Sequence, residues 1–530
     1  MQQLVQMGID TRNPDHCEHI VASLPITNGA KAHQILGDLL AGMYDAPPPP
    51  VAYLGVLERV RQPLIFLQEN IGARYASRPL PADHEESAAF VRTVALWRLA
   101  ADSYARVAQL GGAEEPIRKQ LALVCQRCVH YAGQSIVEHY RARRTLAPGL
   151  WIDLHGYYET AEEWGLADEA VAEPIGGTPT TASETYATVL LTELANPYSR
   201  TPKELSWILR WARKMATDTN LRPASGGGVG HRGYSVDLMQ DRGLRPVDQV
   251  AITPSTRLFD TAPLGERVKT LLGRLKDGYT PGSLGLGDDC PKFQAQRVLL
   301  QLYRPWCLAA MPRRFERNRA SGCLSVAYEV ESIYFHVTGA EFVQPPHVRT
   351  YSRAEVDEMI TFKYQLESDR PVNLATVQAR HPVDIWEIAD QSLNGFRILR
   401  QPQGPRVEHG QLMAVLPPHK NQFVLAHVTW LALEADGRLQ AGLQLLPLPS
   451  RGVALRGTGG SVSPSDKYSP GFFLAATPAL KEPASLVLPA GWYIPGRVVE
   501  VLTDRPVLVQ LGELLARGAN FERCSFVLPS

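Results

Sequence analysis

Hydrophobic positions in the first 310 residues recur at spacings of three and four. Phe90, Val94, Trp97, Ala101 and Tyr104 fall on one face, which is the period of an amphipathic helix. Ile117, Leu121, Val124, Cys128, Ala132 and Ile136 form a second stripe. Each stripe needs a partner surface, so packed antiparallel helices are expected. Thr201-Pro202-Lys203-Glu204 writes a helix start, with an N-cap, a proline at N1 and a glutamate at N3. The face that follows carries Leu205, Ile208, Trp211 and Met215, and Thr181 with Glu184 predicts another capping box before a helix over 186–195. Pro47 to Pro50 make a stiff break between early helices. A looser break runs from Arg222 to Gly230, and helices are predicted at 263–277 and 291–310. No period of 34 or 40 residues emerges, so no named helical repeat applies.

Beyond residue 320 the period changes to two. Leu324, Val326 and Tyr328 alternate with Ser325 and Ala327, and Ile333, Phe335 and Val337 continue as a strand after a turn. The 345–380 region interrupts with a short helix capped by Ser352 and Glu355 and carrying Val356, Met359 and Ile360. Strands are predicted again at 384–389, 396–399, 411–416, 422–431 and 440–446. Short strands with glycine-containing connections favour a small barrel over a parallel sheet with crossover helices. Residues 451–470, rich in Gly, Ser and Pro, read as a connection. Strands at 471–476, 484–488, 497–502, 507–511 and 523–528 then complete the barrel, extend it, or form a second one.

The expected fold is therefore multidomain α+β. An N-terminal α-helical domain (1–220) leads through a glycine-rich linker with connecting helices (221–310) to an antiparallel β-barrel (311–450). That barrel has an insertion at 340–382, and a β-rich C-terminal extension (451–530) follows.

Composition narrows the function classes. At 530 residues the chain is long enough for three or four domains. Lys plus Arg and Asp plus Glu are both 54, so there is no bulk positive field for a nucleic-acid polymer. Seven scattered cysteines do not make a disulfide framework. No window reaches eighteen apolar residues, and the first residues lack the basic and apolar regions of a signal peptide. The expectation is a cytoplasmic protein without an integral membrane segment.

Several candidate sites fail. The Gly226–Gly230 run lacks the Lys-Ser or Lys-Thr of a phosphate cradle and reads as a linker. Cys125, Cys128 and His130 fall short of the four ligands of a structural zinc, and Cys128 lies on an apolar helix stripe. His16, Cys17 and His19 are equally weak. Asp153, His155 and Glu159 have no nucleophile beside them, and neither Gly-x-Ser-x-Gly nor His-Glu-x-x-His occurs. No catalytic residue, metal or cofactor is expected, and the chain is read as a non-enzyme.

One constellation remains. Arg313 and Arg317, with Arg314 between them, stand before the first barrel strand. Their guanidinium groups offer forked donors for phosphate oxygens or the O6/N7 edge of guanine. Asp390-Gln391-Ser392-Leu393-Asn394-Gly395 follows the second strand. Asp390 can accept from guanine N–H groups, Ser392 can bind a phosphate or the turn backbone, and Gly395 allows close approach. The same three residues equally suit a local Asx-type hairpin turn.

Arg-x-x-x-Arg followed by Asp-x-Ser-x-x-Gly resembles the PilZ domain family, small β-barrel receptors for cyclic di-GMP. The runs 410–416, 426–430 and 441–446 extend the resemblance over about residues 310–450, and the 73-residue spacing from Arg317 to Asp390 is longer than in a compact member. The resemblance implies a PilZ-like barrel in which Arg313, Arg314, Arg317, Asp390, Ser392 and Gly395 hold cyclic di-GMP. It also implies that binding is transmitted to the helical region or to a protein partner that uses it. The alternative is a degenerate barrel that serves protein association without nucleotide.

Overall fold

The computed structural model describes residues 10–224, 233–308, 318–345, 380–418, 420–458, 467–478, 482–503 and 505–528. Chain contacts divide it into two compact units, 1–78 with 82–313 and 79–81 with 314–530. The glycine run at 226–230 and the helix expected from Ser352 lie outside the described residues, as do Arg313, Arg314 and Arg317.

The first unit is built on helices α1 (Pro14–Ala22), α2 (Gly29–Asp45), α3 (Pro50–Gly72), α4 (His84–Gly111), α5 (Glu115–Arg118), α6 (Leu121–Arg141), α7 (Leu150–Glu163), α8 (Ala182–Leu194) and α9 (Pro202–Met215). The stripe on α4 buries Phe90, Trp97, Ala101 and Tyr104. The second stripe is divided between α5, which buries Ile117, and α6, which buries Val124, Cys128, Ala132 and Ile136. Both expected capping boxes form. Thr181 accepts from the Glu184 N–H at 3.0 Å, and Thr201 accepts from that of Glu204 at 3.2 Å. In each box the glutamate accepts from the N-cap N–H in return. Such caps satisfy helix-end donors that would otherwise be orphaned, each worth about 1 kcal/mol.

Residues 221–310 hold more than a linker and helices. Short strands β1 (Asn220–Pro223), β2 (Tyr234–Asp237), β3 (Arg245–Pro246) and β4 (Thr256–Asp260) form an antiparallel sheet in the order β1-β4-β2-β3. Helices α10 (Ala262–Lys276) and α11 (Lys292–Cys307) follow. Phe259, Leu264, Val268 and Trp306 join the same core as α1 to α9.

The second unit contains two six-stranded antiparallel barrels. The first uses β6 (Cys323–Ala327), β7 (Asp384–Ser392), β8 (Gly395–Arg400), β9 (Leu412–Leu416), β10 (Val424–Leu433) and β11 (Leu439–Leu445). Its ring runs β7-β6-β9-β10-β11-β8 and closes through β7–β8. The two-residue strand β5 (Asn318–Arg319) lies on the same edge of β7 as β6, one residue out of register with it. Leu324, Val326, Trp386, Ile398, Met413 and Leu443 are buried.

The second barrel consists of β12 (Ser450–Gly457), β13 (Ser469–Leu474), β14 (Ser485–Pro489), β15 (Val498–Leu502), β16 (Pro506–Arg517) and β17 (Phe521–Val527), closed in the order β12-β13-β14-β17-β16-β15. Val453, Leu455, Leu486, Val499 and Leu511 share its core. The C-terminal residues thus make a closed barrel of their own. The connection expected over 451–470 is corrected at both ends, where 450–457 and 469–470 are strand.

A second correction concerns Ile333, Phe335 and Val337. They lie on a helix, α12 (Val330–Thr338), which ends at Gly339 with φ 79°. Ile333, Tyr334 and Val337 pack with Ala414, Leu425, Phe472 and Phe521, on a cluster drawn from both barrels. The i, i+1, i+4 spacing suits a helix seated between two curved surfaces, whereas a strand would turn Tyr334 away from that cluster.

Candidate functional site

The β7–β8 hairpin carries the acidic turn. Ser392 pairs with Gly395, leaving Leu393 and Asn394 as a two-residue loop. The Ser392 hydroxyl reaches Asn394 Oδ1 and Gly395 O, both at 3.3 Å. Its local turn role is therefore realised. Gly395 has a steric reason to be glycine, since a Cβ there would overlap the carbonyl oxygen of Leu443 on β11. The Leu445 N–H donates to Asn394 O at 2.9 Å, tying the loop to that strand.

Asp390 lies two residues before Ser392 on β7. It stands cross-strand from Arg397, with Arg397 Nε 2.7 Å from its Oδ2. Asp390 is 9% exposed and Arg397 is half-buried. On the other edge of β7, Asn318 is opposite Gln391 and Arg319 is opposite Asp390. Asp390, Ser392 and Gly395 thus share one hairpin, while Arg313, Arg314 and Arg317 fall outside the described residues, just before β5.

Beside the turn is a cavity of about 290 Å³, bordered by Ser392, Asn394, Thr429, Trp430, Gly442 and Gln444. A register shift in β10 between Val428 and Trp430 inserts Thr429 as an extra residue. Thr429 then donates its hydroxyl to Gly442 O at 3.0 Å. Trp430 is directly opposite Gly442, where a Cβ would overlap the pyrrole side of the indole. The sequence reading missed Thr429, Trp430, Gly442 and Arg397 as site residues. The signal available was the interval of three between the buried Val428 and Leu431, which breaks strict alternation.

The rejected candidates have structural partners. Cys128 is buried in α6 with its thiol pushed up by burial, and its Sγ is 3.6 Å from Ala101 O. His155 is fully buried, and burial pushes its pKa down to about 4. Its Nε2 donates to Arg242 O at 3.0 Å, which leaves Nδ1 to accept from the Tyr186 hydroxyl at 2.8 Å. Asp153 pairs with Arg98 at 3.2 Å. Among the described residues no group of three or more His, Cys, Asp or Glu could hold a metal ion, and no helix is long and apolar enough to cross a membrane.

Comparison with protein-family models identifies two segments. Residues 15–224 match the N-terminal domain of the cyclic-di-GMP receptor FimW, and residues 453–529 match the FimW C-terminal beta-barrel domain. No curated protein matches the chain. The first match covers α1 to α9 and the second covers nearly the whole of the last barrel. Neither overlaps the first barrel, whose motifs resemble PilZ domains, so the assignment is to FimW and not specifically to PilZ. With more than half of its 530 residues matched by these two domains, the chain belongs to the FimW family of cyclic-di-GMP receptors.

Proposed function

We propose that this protein is a cytoplasmic cyclic-di-GMP receptor whose first barrel acts as a PilZ-like module. In this reading Arg313, Arg314 and Arg317 close over the dianionic nucleotide, while Asp390, Ser392 and Gly395 form the turn that receives a guanine. The supporting observation is the register of β5. Arg317 is one peptide bond from Asn318, which pairs with Gln391, and Arg319 is opposite Asp390. Consecutive Cα atoms are about 3.8 Å apart, so Arg317 is a single such step from a residue that pairs beside the acidic hairpin. Guanidinium groups there meet phosphate oxygens with charge-assisted bonds, and a carboxylate meets the guanine N–H edge.

Transmission follows from the same segment. Before it, α11 is anchored in the helical core, where Trp306 is buried and its indole N–H donates to Leu191 O at 2.8 Å. After it, β5 is held in the barrel sheet. Ligand binding at the arginine run, which stands in sequence between these two anchors, would then alter the surface that the helical region offers a protein partner. Calorimetric titration of the full chain with cyclic di-GMP tests the reading. Saturable binding is expected, with at least a tenfold loss in Arg317→Ala and in Asp390→Ala; no binding at tens of micromolar would refute it.

A further inference from the structure

We infer that Trp430 is the stacking surface for one purine base of the bound nucleotide, an inference that rests on the receptor reading above. The two large tryptophans of the first barrel are treated differently by the fold. Trp386 is fully buried, its indole N–H donates to Tyr328 at 2.6 Å, and the Arg400 guanidinium covers its face at 4.9 Å. Trp430 is only half-buried and borders the cavity beside the Asp390 hairpin.

Its position is built in. The extra residue Thr429 displaces the normal alternation of β10, so Val428 and Leu431 are buried while Thr429 and Trp430 both border the cavity. Gly442 opposite removes the side chain that would otherwise occupy the place of the indole. Strand glycine is unfavourable unless something approaches closely, and here the close neighbour is the aromatic ring.

The cavity's size and lining say what fits. At about 290 Å³ it lies at the lower limit of small-molecule sites, large enough for one base and too small for a whole cyclic dinucleotide. Around the indole stand Ser392, Asn394 and Gln444, whose hydroxyl and amides can both donate and accept along a purine edge. An aromatic face flanked by such groups is the usual chemistry for holding a splayed base. An aromatic that merely covers a strand glycine would need no cavity at its side.

The test uses the full chain with cyclic di-GMP, followed by calorimetry and tryptophan fluorescence. Base–aromatic stacking is of a strength that converts to a roughly five- to hundredfold loss of affinity in Trp430→Ala. Trp430→Phe should bind within several-fold of wild type yet lose most of the ligand-induced quench, read as a difference because the chain has 9 tryptophans. Thermal melts of both variants separate a packing defect from a binding defect, and the phenylalanine variant preserves the cover over Gly442. Wild-type binding with Trp430→Ala within twofold, or a quench unchanged in Trp430→Phe, would overturn this inference alone. No binding by the wild type would overturn the receptor reading and the stacking role together.

Discussion

Replacing Arg127 by methionine probes the buried ionic network of the helical unit. The Arg127 side chain is 0% exposed. Its Nε and Nη2 donate to the two carboxylate oxygens of Glu58 at 2.9 and 3.1 Å, and Nη1 donates to Glu173 at 2.9 Å. Further bonds reach Gln126 Oε1 at 2.6 Å and Ala172 O at 3.0 Å. Arg61 shares both carboxylates, at 3.5 Å from Glu58 and 2.7 Å from Glu173. Two guanidinium groups therefore balance two carboxylates, and Arg127→Met leaves one negative charge uncompensated. Breaking a buried pair on one side costs about 3–5 kcal/mol. Glu58 and Glu173 side chains are 27% and 12% exposed, and Arg61 remains, so the lower end of about 3 kcal/mol is expected.

The pH dependence supplies an independent check on that network. Burial alone would raise the pKa of Glu58 and Glu173, yet their arginine partners hold both below the ordinary 4.5. Carboxylates depressed in the fold contribute stability that is complete above their unfolded value and is lost as pH falls through the folded one. Without Arg127 that acid-side loss should shrink, because burial is less opposed. Urea unfolding of the full chain, followed by far-UV circular dichroism at neutral and acid pH, measures both effects. Adding Glu173→Gln should restore part of the loss, since it removes the excess charge. A single variant within about 1 kcal/mol of wild type, or strict additivity in the pair, would refute the argument.

Two further outcomes follow from burial. His155, held near 4 by burial against an ordinary 6.5, binds fewer protons folded than unfolded between those values. Its contribution is therefore full above about pH 6.5 and falls by up to about 3 kcal/mol as pH drops toward 4; His155→Gln should flatten this slope in urea titrations, and an unchanged slope would count against it. Gly395→Ala drives a Cβ into Leu443 O and should cost about 1–3 kcal/mol while weakening cyclic di-GMP binding, read by melting and calorimetry; an unaltered melt would contradict the steric account.

What could be read from sequence was local. The Thr201 and Thr181 capping boxes depend on residues three apart, and both form as written. The strand β7 was legible from alternation, because Trp386, Ile388 and Asp390 are buried and the residues between them are not. The helix α12 was not. Ile333, Phe335 and Val337 alternate by accident, and the deciding contact is Tyr334 against Phe472, 138 places along the chain, with ring centroids 5.9 Å apart. The strand β12 was hidden for a related reason. Gly452 reads as loop composition, yet it is glycine because Tyr334 and Thr338 of that helix lie against it. The Asp390 hairpin was visible as a motif, whereas the place of Trp430 depended on a bulge whose trace in the sequence is the interval of three between Val428 and Leu431.

The two barrels separate fold from site. Both close six antiparallel strands, so closure alone cannot assign the nucleotide to either. In the second barrel the arginines Arg456, Arg517 and Arg523 are engaged by Glu500 at 3.0 Å, Glu522 at 2.7 Å and Glu482 at 2.9 Å. Phe472 and Phe521 belong to the apolar cluster shared with Leu412, Ala414 and Leu425 of the first. Those groups hold the second barrel together and cover its neighbour. The first barrel has the acidic hairpin, the base-sized cavity beside it and the strand β5, which pairs with the hairpin and whose first residue follows Arg317 in sequence. If the nucleotide were carried by the second barrel instead, Arg523→Ala would abolish binding and Asp390→Ala would leave it intact. The arrangement of charges argues for the reverse: Asp390→Ala should remove the ligand, whereas Arg523→Ala should loosen the last barrel and leave affinity within a few-fold of wild type.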